Sequence, residues 1–205
     1  MGLYSSVIFP HVLDWMMGND FLAGYRRDLL ADARGEVLEV GFGTGVNLQY
    51  YPAQIRKITT VDPNPGMNRI VERRIAAAPV AVEKRLIAAE KLPMPDGTFD
   101  TVVSTFAMCS IPNASEALAQ IHRVLKPGGR LLFLEHGLSP DPRVQTWQHR
   151  LTPISKIIGG GCHLNRDIPK LVQTQPFNMQ ALDQFNLERA PRVAGFLSRG
   201  IAAKD

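Results

Sequence analysis

The residues best suited to chemistry surround a glycine-rich segment that has an acid on either side of it. Glu39 stands two residues before the segment Gly41-Phe42-Gly43-Thr44-Gly45, and Asp62 directly follows an apolar run, Lys57–Val61. Glycines let a backbone approach a ligand closely and adopt positive φ angles. An acid at the end of the neighbouring strand can accept hydrogen bonds from both hydroxyl groups of a ribose. The pattern therefore predicts a nucleoside site.

The spacing of the glycines argues against the common phosphate-binding loops. A dinucleotide fingerprint, Gly-x-Gly-x-x-Gly, would need its last glycine at the position of Val46, and no Gly-Lys-Ser/Thr follows. The negative charge of Glu39 would repel a phosphate but suits a cationic ligand. S-adenosylmethionine has an adenosine, a sulfonium and an ammonium group and no phosphate, so it fits these residues.

Here the chain resembles the class I S-adenosylmethionine-dependent methyltransferases. Two further segments, Asp96–Val103 and Arg123–Gly129, are similar to motifs of small-molecule methyltransferases. Other blocks resemble the alkyl-thiol methyltransferase-like group: Cys109-Ser110, Glu135-His136 with Trp147-Gln148 downstream, Gly161–Arg166, and the closing Gly200–Lys204. The resemblance implies S-adenosylmethionine as the methyl donor, S-adenosylhomocysteine as the product and a small-molecule or lipid acceptor, with an alkyl thiol favoured.

Other functions stay open beside the favoured one. Related folds methylate the nitrogen of phosphatidylethanolamine or a carbon of a quinone precursor, and a non-catalytic S-adenosylmethionine-binding regulatory module is the alternative outside enzymes. A nucleic-acid methyltransferase is disfavoured, because Ser104-Thr105-Phe106-Ala107 stands where an Asn/Asp-Pro-Pro-Tyr/Phe motif would follow the fourth strand. Neither the acceptor nor the oligomeric state follows from these residues.

The elements that must position these residues alternate between strand and helix. This alternation predicts a Rossmann-like α/β fold, in which a doubly wound seven-stranded sheet is mostly parallel and closes with an antiparallel C-terminal hairpin, with added N-terminal helices. The predicted strands are Val37–Val40, Lys57–Asp62, one ending near Ala88-Ala89, Phe99–Thr105, Arg130–Glu135, Met179–Glu188 and Phe196–Lys204.

Residue patterns typical of helices lie between the predicted strands. We expect Asp20 to cap a helix running to about Ala33, a helical segment after the glycines as far as Tyr51, a capping-box-like pair at Asn113 and Glu116, and a helix from Asn165 to about Val172. The 205 residues form one domain, with an N-terminal helical lid over residues 1–33 and a Rossmann-like core over 34–205.

The predicted donor site extends beyond the two acids. Many related enzymes have an acid at the end of the third strand that meets the adenine, where this chain has Ala88, so adenine recognition is expected to fall to the next two residues. The donor-binding residues expected are Glu39, Gly41, Phe42, Gly43, Thr44, Gly45, Asp62, Pro63, Ala89, Glu90 and Thr105.

Methyl transfer from a sulfonium is an in-line displacement that requires donor and acceptor to lie about 3–3.5 Å apart. A base matters when the acceptor must lose a proton, as a thiol of pKa about 8.5 would. His136 is the candidate base, because it follows the fifth strand; a strand-end histidine satisfied by backbone groups is an equal alternative. The expected acceptor pocket comprises Tyr4, Phe106, Met108, Cys109, Trp147 and His163.

Composition and cysteine usage restrict the classes of partner that we expect for this protein. The net charge of +4 and the pI of about 9.3 come from scattered basic residues, which disfavours nucleic acid as a partner. Two cysteines form no disulfide framework, and the spacing of Cys162-His163 and His136 matches no standard zinc pattern, so no metal is expected. Without a recognisable signal peptide or spanning segment, a cytoplasmic protein is expected; the apolar N-terminal stretch leaves peripheral membrane contact open.

Overall fold

The computed structural model describes residues 9–205, in which helices and strands alternate as the sequence predicts. The strands are β1 (Val37–Val40), β2 (Lys57–Val61), β3 (Ala81–Arg85), β4 (Phe99–Thr105), β5 (Leu125–His136), β6 (Phe177–Asn186) and β7 (Phe196–Lys204). The α-helices are α1 (Phe9–Met17), α2 (Asp20–Leu30), α3 (Asn68–Ala77), α4 (Ala114–Val124), α5 (Pro142–Ile158) and α6 (Ile168–Val172). Short 3-10 turns cover Val46–Tyr50, Pro65–Met67 and Ala89–Lys91.

The strands form one seven-stranded sheet in the order β3-β2-β1-β4-β5-β7-β6. The first five strands in that order are parallel, whereas β7 pairs antiparallel with both β5 and β6, so the predicted fold class is confirmed. The strand order reverses between β1 and β4, where Val40 pairs with Val61 on one side and Ser104 on the other. Ligands of doubly wound sheets bind at such a reversal, outside the carboxyl ends of the strands.

Both faces of the sheet are covered, which explains why its central strands are apolar throughout. On one face, Leu38, Val102 and Phe133 pack against Leu118 and Ile121 of α4. The opposite face belongs to a second core cluster that includes Val37, Val103 and Leu132 together with Leu22 and Leu30 of α2. Because the apolar side of α2 is buried against the sheet, the helix is fixed in position. The polar residues on that same side of α2 are therefore fixed in orientation as well.

Several predicted boundaries are wrong for local reasons. Asp20 lies in the first turn of α2 and not at its cap, which is Asn19, and the helix ends at Leu30 before Ala33. The segment after the glycines is a 3-10 turn, Val46–Tyr50, and it ends there because Pro52 disfavours helical geometry at Tyr51. Strand β3 stops at Arg85, three residues before Ala88.

The largest element that the sequence analysis missed is α5, which occupies 17 residues of what we expected to be a connection. Its start carries a recognisable signal, since the Asp141 side chain accepts a hydrogen bond from Arg143 N at 2.9 Å and proline occupies the first helical position. Pro153 inside the helix obscures the pattern. The next helix, α6, is capped by Asp167 and not by Asn165.

No helix within residues 9–205 is long and apolar enough to cross a bilayer.

Candidate active site

The glycine turn lies at the carboxyl edge of the sheet, between the loops that follow β1 and β4. Gly41, Gly43 and Gly45 all have positive φ angles, of 73°, 54° and 75°. A Cβ atom added at Gly41 would lie 2.1 Å from the Cβ of Ala107, so only glycine permits this approach of the two loops. The turn is thereby held against the loop after β4.

Glu39 is buried beneath this turn, with 2% of its surface exposed. Its Oε1 accepts a hydrogen bond from Asn47 Nδ2 at 2.8 Å, and its Oε2 accepts one from Tyr51 Oη at 2.8 Å. Burial raises the pKa of Glu39 to about 7, although both hydrogen bonds and the nearby Arg26 guanidinium favour the charged form. The carboxylate is therefore a costly buried charge, stabilised by a dedicated set of donors.

Asp62 follows β2 and faces the same turn. Its carboxylate accepts hydrogen bonds from Gly43 N and Asn64 N, both at 2.8 Å, and burial raises its pKa. The acid at the end of the second strand thus contacts the glycine backbone directly. Pro63, the next residue, is exposed, and Thr44 is buried with its carbonyl accepting a hydrogen bond from Arg74 at 2.8 Å.

Arg26 of α2 is a polar residue of the site that the sequence analysis missed. It is 2% exposed, and its Nη1 donates to Asn47 Oδ1 at 2.6 Å and to Thr105 Oγ1 at 3.0 Å. Burial lowers its pKa to about 10, which leaves it a cation, and its buried Nε has no hydrogen-bond partner among the described residues. An arginine on the apolar side of α2, between Leu22 and Leu30, was the available signal.

A small cavity of about 50 Å³ lies at the glycine turn, lined by Glu39 and Arg26 but not by Asp62. The cavity is lined both by residues predicted for the donor or acceptor and by residues that were not predicted: Leu13, Met17, Arg26, Glu39, Gly41, Phe42, Gly43, Thr44, Val46, Asn47, Thr105 and Phe106. Phe106 has a φ of 54°, a left-handed conformation that is rare for a side chain of this size. Such strain is concentrated at functional sites.

A larger cavity of about 330 Å³ lies elsewhere, between α2 and strands β6 and β7. The Arg199 guanidinium that lines it pairs with Asp28 and Asp183. Because its lining includes none of the residues at the glycine turn, we place the candidate site at the smaller cavity.

The predicted adenine residues lie beside the site but not in the lining of that cavity. Ala89 is buried in the main core cluster, and the Glu90 carboxylate accepts a hydrogen bond from Asn113 N at 3.2 Å. Their contact with adenine stays a prediction.

A second group of polar residues lies at the ends of β4 and β5. Glu135 is fully buried, and its Oε1 accepts hydrogen bonds from Ser104 Oγ, Ala107 N and Met108 N at 2.9–3.1 Å. Burial raises the pKa of this carboxyl. Glu135 therefore shapes the loop after β4, which also carries the strained Phe106.

His136 is buried, and its Nε2 lies 2.9 Å from the sulfur of Cys162. Burial lowers its pKa, but the hydrogen bond to Cys162 and the charges of Cys162 and Glu135 outweigh this and raise it. The adjacent Cys109 sulfur, followed by burial, raises the pKa of Cys162. The raised pKa values of His136 and Cys162 concern the proton that the two groups share. We favour the form with a neutral thiol and a neutral imidazole, because burial penalises separated charges. Whether His136 acts as a base stays a prediction.

The other predicted acceptor residues are dispersed. Phe106 lines the donor cavity, but Met108 is fully buried in the main core cluster. Trp147 lies on α5 with 54% of its surface exposed, and the Arg150 guanidinium lies 5.6 Å from the centre of its ring. His163 Nδ1 lies 3.2 Å from Cys109 O, close to the end of β5. Tyr4 lies outside the described residues.

Comparison with known sequences places these features in context. The profile of the family described as "Methyltransferase domain" matches residues 38–133. Thiol S-methyltransferase TMT1B of Rattus norvegicus is 37% identical over 189 residues, which cover 85% of this chain and 77% of the relative. Thiol S-methyltransferase TMT1A of Homo sapiens is 31% identical, over 87% of this chain and 80% of its own length. A demethylmenaquinone methyltransferase of Symbiobacterium thermophilum is 39% identical, but only over 48% of this chain and 41% of its own length.

Solved structures share the fold. A protein of Methanosarcina mazei described as a SAM-dependent methyltransferase superposes with a TM-score of 0.66 and 22% identity, over 82% of this chain and 92% of its own. The [4+2]-cyclase SpnF superposes with a TM-score of 0.67 and 18% identity, over 89% of this chain and 79% of its own. At these identities the likeness concerns the fold alone.

The raised pKa of Glu39 predicts a pH dependence of stability. Between pH 4.5 and about 7, this carboxyl holds its proton in the folded state and loses it in the unfolded state, so its contribution to the free energy of unfolding falls as pH rises. At 1.36 kcal/mol per pKa unit the change amounts to about 3 kcal/mol at most. Glu39→Gln should remove this slope in denaturant unfolding measured across that range. The exposed Glu36→Gln is the matched control and should retain the slope; equal slopes in wild type and Glu39→Gln would contradict the assignment.

Proposed function

Because this chain belongs to the class I S-adenosylmethionine-dependent methyltransferases, in the alkyl-thiol methyltransferase-like group, we propose that it transfers a methyl group from S-adenosylmethionine to the sulfur of a small alkyl thiol. The observation that carries the proposal is the set of groups at the glycine turn: the buried acid Glu39, the half-buried acid Asp62, a close-approaching backbone and the buried guanidinium of Arg26. The assignment of the acceptor rests on the names of relatives that match most of their length.

The polar groups at the site suit each part of the donor. The Asp62 carboxylate lies against the glycine backbone, where it can accept hydrogen bonds from ribose hydroxyls. Glu39 supplies a negative potential that favours a cationic ligand. Arg26, with one buried N–H unpaired among the described residues, is placed to bind a carboxylate, which the methionine part of the donor carries.

When bound, the donor supplies an electrophilic methyl group on a sulfonium, and displacement requires alignment and exclusion of water. The chain's contribution is to hold that centre at the carboxyl edge of the sheet. Thr105 and the strained Phe106 line the cavity there, and Glu135 fixes the loop that follows them. No step in this scheme requires a base if the acceptor reaches the site as a thiolate, so the proposal does not depend on His136 acting as one.

We restrict the proposed lid to α1. Helix α2 packs its apolar side into the core, whereas α1 contributes only Leu13 and Met17 to the cavity and exposes Trp15. An ion pair joins Asp14 of α1 to Arg74, which also donates to Thr44 O in the glycine turn. The cavity of about 50 Å³ is far smaller than the roughly 300–1,000 Å³ of typical ligand sites, and we infer that movement of α1 admits the donor.

The first test concerns the donor. S-adenosylmethionine and S-adenosylhomocysteine should both bind, and Asp62→Ala should weaken binding by about tenfold or more, because it removes hydrogen bonds to a charged acceptor worth about 1.5–3 kcal/mol. Titration calorimetry measures both. The matched control is Asp96→Ala, which removes an exposed carboxylate that pairs with Arg123. Unchanged affinity in Asp62→Ala would refute this placement of the ribose, and tight binding of NADH by the wild type would refute the donor assignment.

The second test concerns the lid. Deleting residues 1–18 should leave a cooperatively unfolding protein whose methyl transfer is slower by about tenfold to a hundredfold, since the reacting centre is then poorly aligned and open to water. Unfolding followed by circular dichroism and turnover measured with labelled donor give the two readouts. An insoluble or molten product would show that α1 belongs to the core, which would contradict the lid.

The third test identifies the acceptor. With labelled donor, a panel would contain a small alkyl thiol, the alcohol of the same chain length, an amine, a phenol, a demethylated quinol and phosphatidylethanolamine in liposomes. We expect turnover of the thiol and none of the matched alcohol. Turnover of the lipid or the quinol without that of any thiol would reject the thiol proposal in favour of the corresponding alternative. Donor binding with no turnover of any acceptor would favour the regulatory module.

A further inference from the structure

Three side chains converge outside the donor cavity and form a cluster of nitrogen and sulfur atoms. The sulfurs of Cys109 and Cys162 and a ring nitrogen of His136 all lie within 4.8 Å of one another. Cys109 is 2% exposed, His136 is 9% exposed and Cys162 is half-buried. We call these three residues the Cys–His–Cys cluster.

The cluster is assembled from three separate parts of the fold. Cys109 lies in the loop after β4, His136 is the last residue of β5, and Cys162 lies in the turns that follow α5. Backbone contacts fix these parts independently of the three side chains: His163 N donates to Cys109 O at 2.9 Å, and Cys109 N donates to Glu135 at 3.4 Å. The ligand atoms are therefore held together by the fold and not only by their mutual attraction.

The hydrogen bonding of the cluster is incomplete. The Nδ1 atom of His136 is buried and has no hydrogen-bond partner among the described residues. The sulfur of Cys162 contacts His136 Nε2, and the sulfur of Cys109 lies 3.5 Å from Ser110 Oγ. Buried polar atoms without partners are uncommon in folded proteins and call for an explanation. A cation bound by Nε2 and both sulfurs would use as ligands the atoms that face one another, and Nδ1 would carry the proton of the neutral imidazole.

The dimensions suit a tetrahedral metal ion. With Zn–S bonds of about 2.3 Å and Zn–N bonds of about 2.0–2.1 Å, neighbouring ligand atoms lie roughly 3.5–3.8 Å apart. The observed separations, from 2.9 Å for His136 Nε2 to Cys162 Sγ up to at most 4.8 Å, bracket that range. Imidazole and thiolate ligands select zinc-like ions over Mg²⁺ or Ca²⁺. Two thiolates and a neutral imidazole also balance the charge of a divalent ion, which suits a buried site.

We propose that Cys109, His136 and Cys162 bind one zinc-class divalent cation. The spacing of these residues in the sequence predicts no metal, because zinc motifs are recognised by ligands that are close together in the chain. These three ligands meet only when β4, β5 and the end of α5 are assembled. In this arrangement His136 is a ligand rather than a base.

Three protein ligands leave the fourth tetrahedral position open, as in catalytic and not structural zinc sites. This part rests on the proposed function: the open position binds the sulfur of the acceptor thiol, whose proton is released to solvent because a metal-bound thiol is deprotonated. The sulfur then forms the bond to the methyl carbon while the bond from that carbon to the sulfonium breaks. The products are S-adenosylhomocysteine and a neutral methyl thioether, a weaker ligand that dissociates. The position of Cys109, four residues after Thr105 of the donor cavity, favours this.

Metal binding is tested on the full chain, reduced and freed of metal, by titration with Zn²⁺ and with Co²⁺. We expect one ion per chain and a thiolate-to-cobalt charge-transfer band. Because the chain contains only two cysteines, a mercurial reagent should release one ion for every two thiols modified. Cys109→Ser, Cys162→Ser and His136→Ala each remove a direct ligand and should weaken binding by more than the roughly 10–100-fold that loss of an outer-shell partner costs. His149→Gln, which changes an exposed histidine, is the matched control and should bind normally.

Unfolding curves identify any variant that fails to fold, and chelation of metal from the wild type provides a second measurement that needs no substitution. Reduced wild type that binds no stoichiometric ion would overturn the proposal, as would full binding by Cys162→Ser. If a protein that binds no metal ion still methylates the thiol, the metal site is wrong and the proposed function is intact.

The open position has its own test. In the cobalt-loaded protein without methyl donor, a small alkyl thiol should shift the charge-transfer band, and the alcohol of the same chain length should not. A spectrum unchanged by the thiol, in a protein that binds one cobalt ion, would overturn the role of the fourth position.

Discussion

The burial of two carboxylates on either side of β4 is the constraint on which the rest of the site depends. Glu39 on β1 and Glu135 on β5 are both removed from water, and a buried charge is tolerated only when hydrogen-bond donors surround it. For Glu39 the donors are the side chains of Asn47 and Tyr51. For Glu135 they are the backbone amides of the loop after β4 and Ser104. The polar architecture of the carboxyl edge therefore follows from satisfying two acids.

The loop after β4 is the element that both acids share. At its start, Thr105 accepts hydrogen bonds from Arg26 and Asn47, which links it to the network around Glu39. Two residues later, its amides bind Glu135, and Cys109 at its far end belongs to the Cys–His–Cys cluster. The donor cavity and the cluster are thus built on opposite ends of one short segment. Phe106, whose φ is positive, lies between these two attachments.

Local signals were sufficient for much of the fold. The apolar runs of the central strands lie on buried positions, so β1 and β4 have the predicted bounds, and the capping pair Asn113 and Glu116 begins α4 as expected. Prediction failed where local signals conflicted. Helix α5 combines a clear start at Asp141 with an internal Pro153. The charged, partly buried residues of β3 form no apolar pattern from which the end of the strand could be predicted.

The sequence by itself determined the chemistry at the glycine turn, because glycines, an acid before them and an acid after the next strand act over short distances along the chain. Only the tertiary structure decided what covers and surrounds that turn. Arg26 enters the site because α2 buries its apolar side, whereas Trp147 lies on α5 with its side chain largely exposed and does not line the donor cavity. Cys109, His136 and Cys162 are separated by more than twenty residues each. Cys109 and His136 meet because the parallel strands β4 and β5 end at one edge of the sheet, and the turns after α5 bring Cys162 to them. The spacing of residues along a chain predicts local structure, but it does not predict which distant residues the fold brings together.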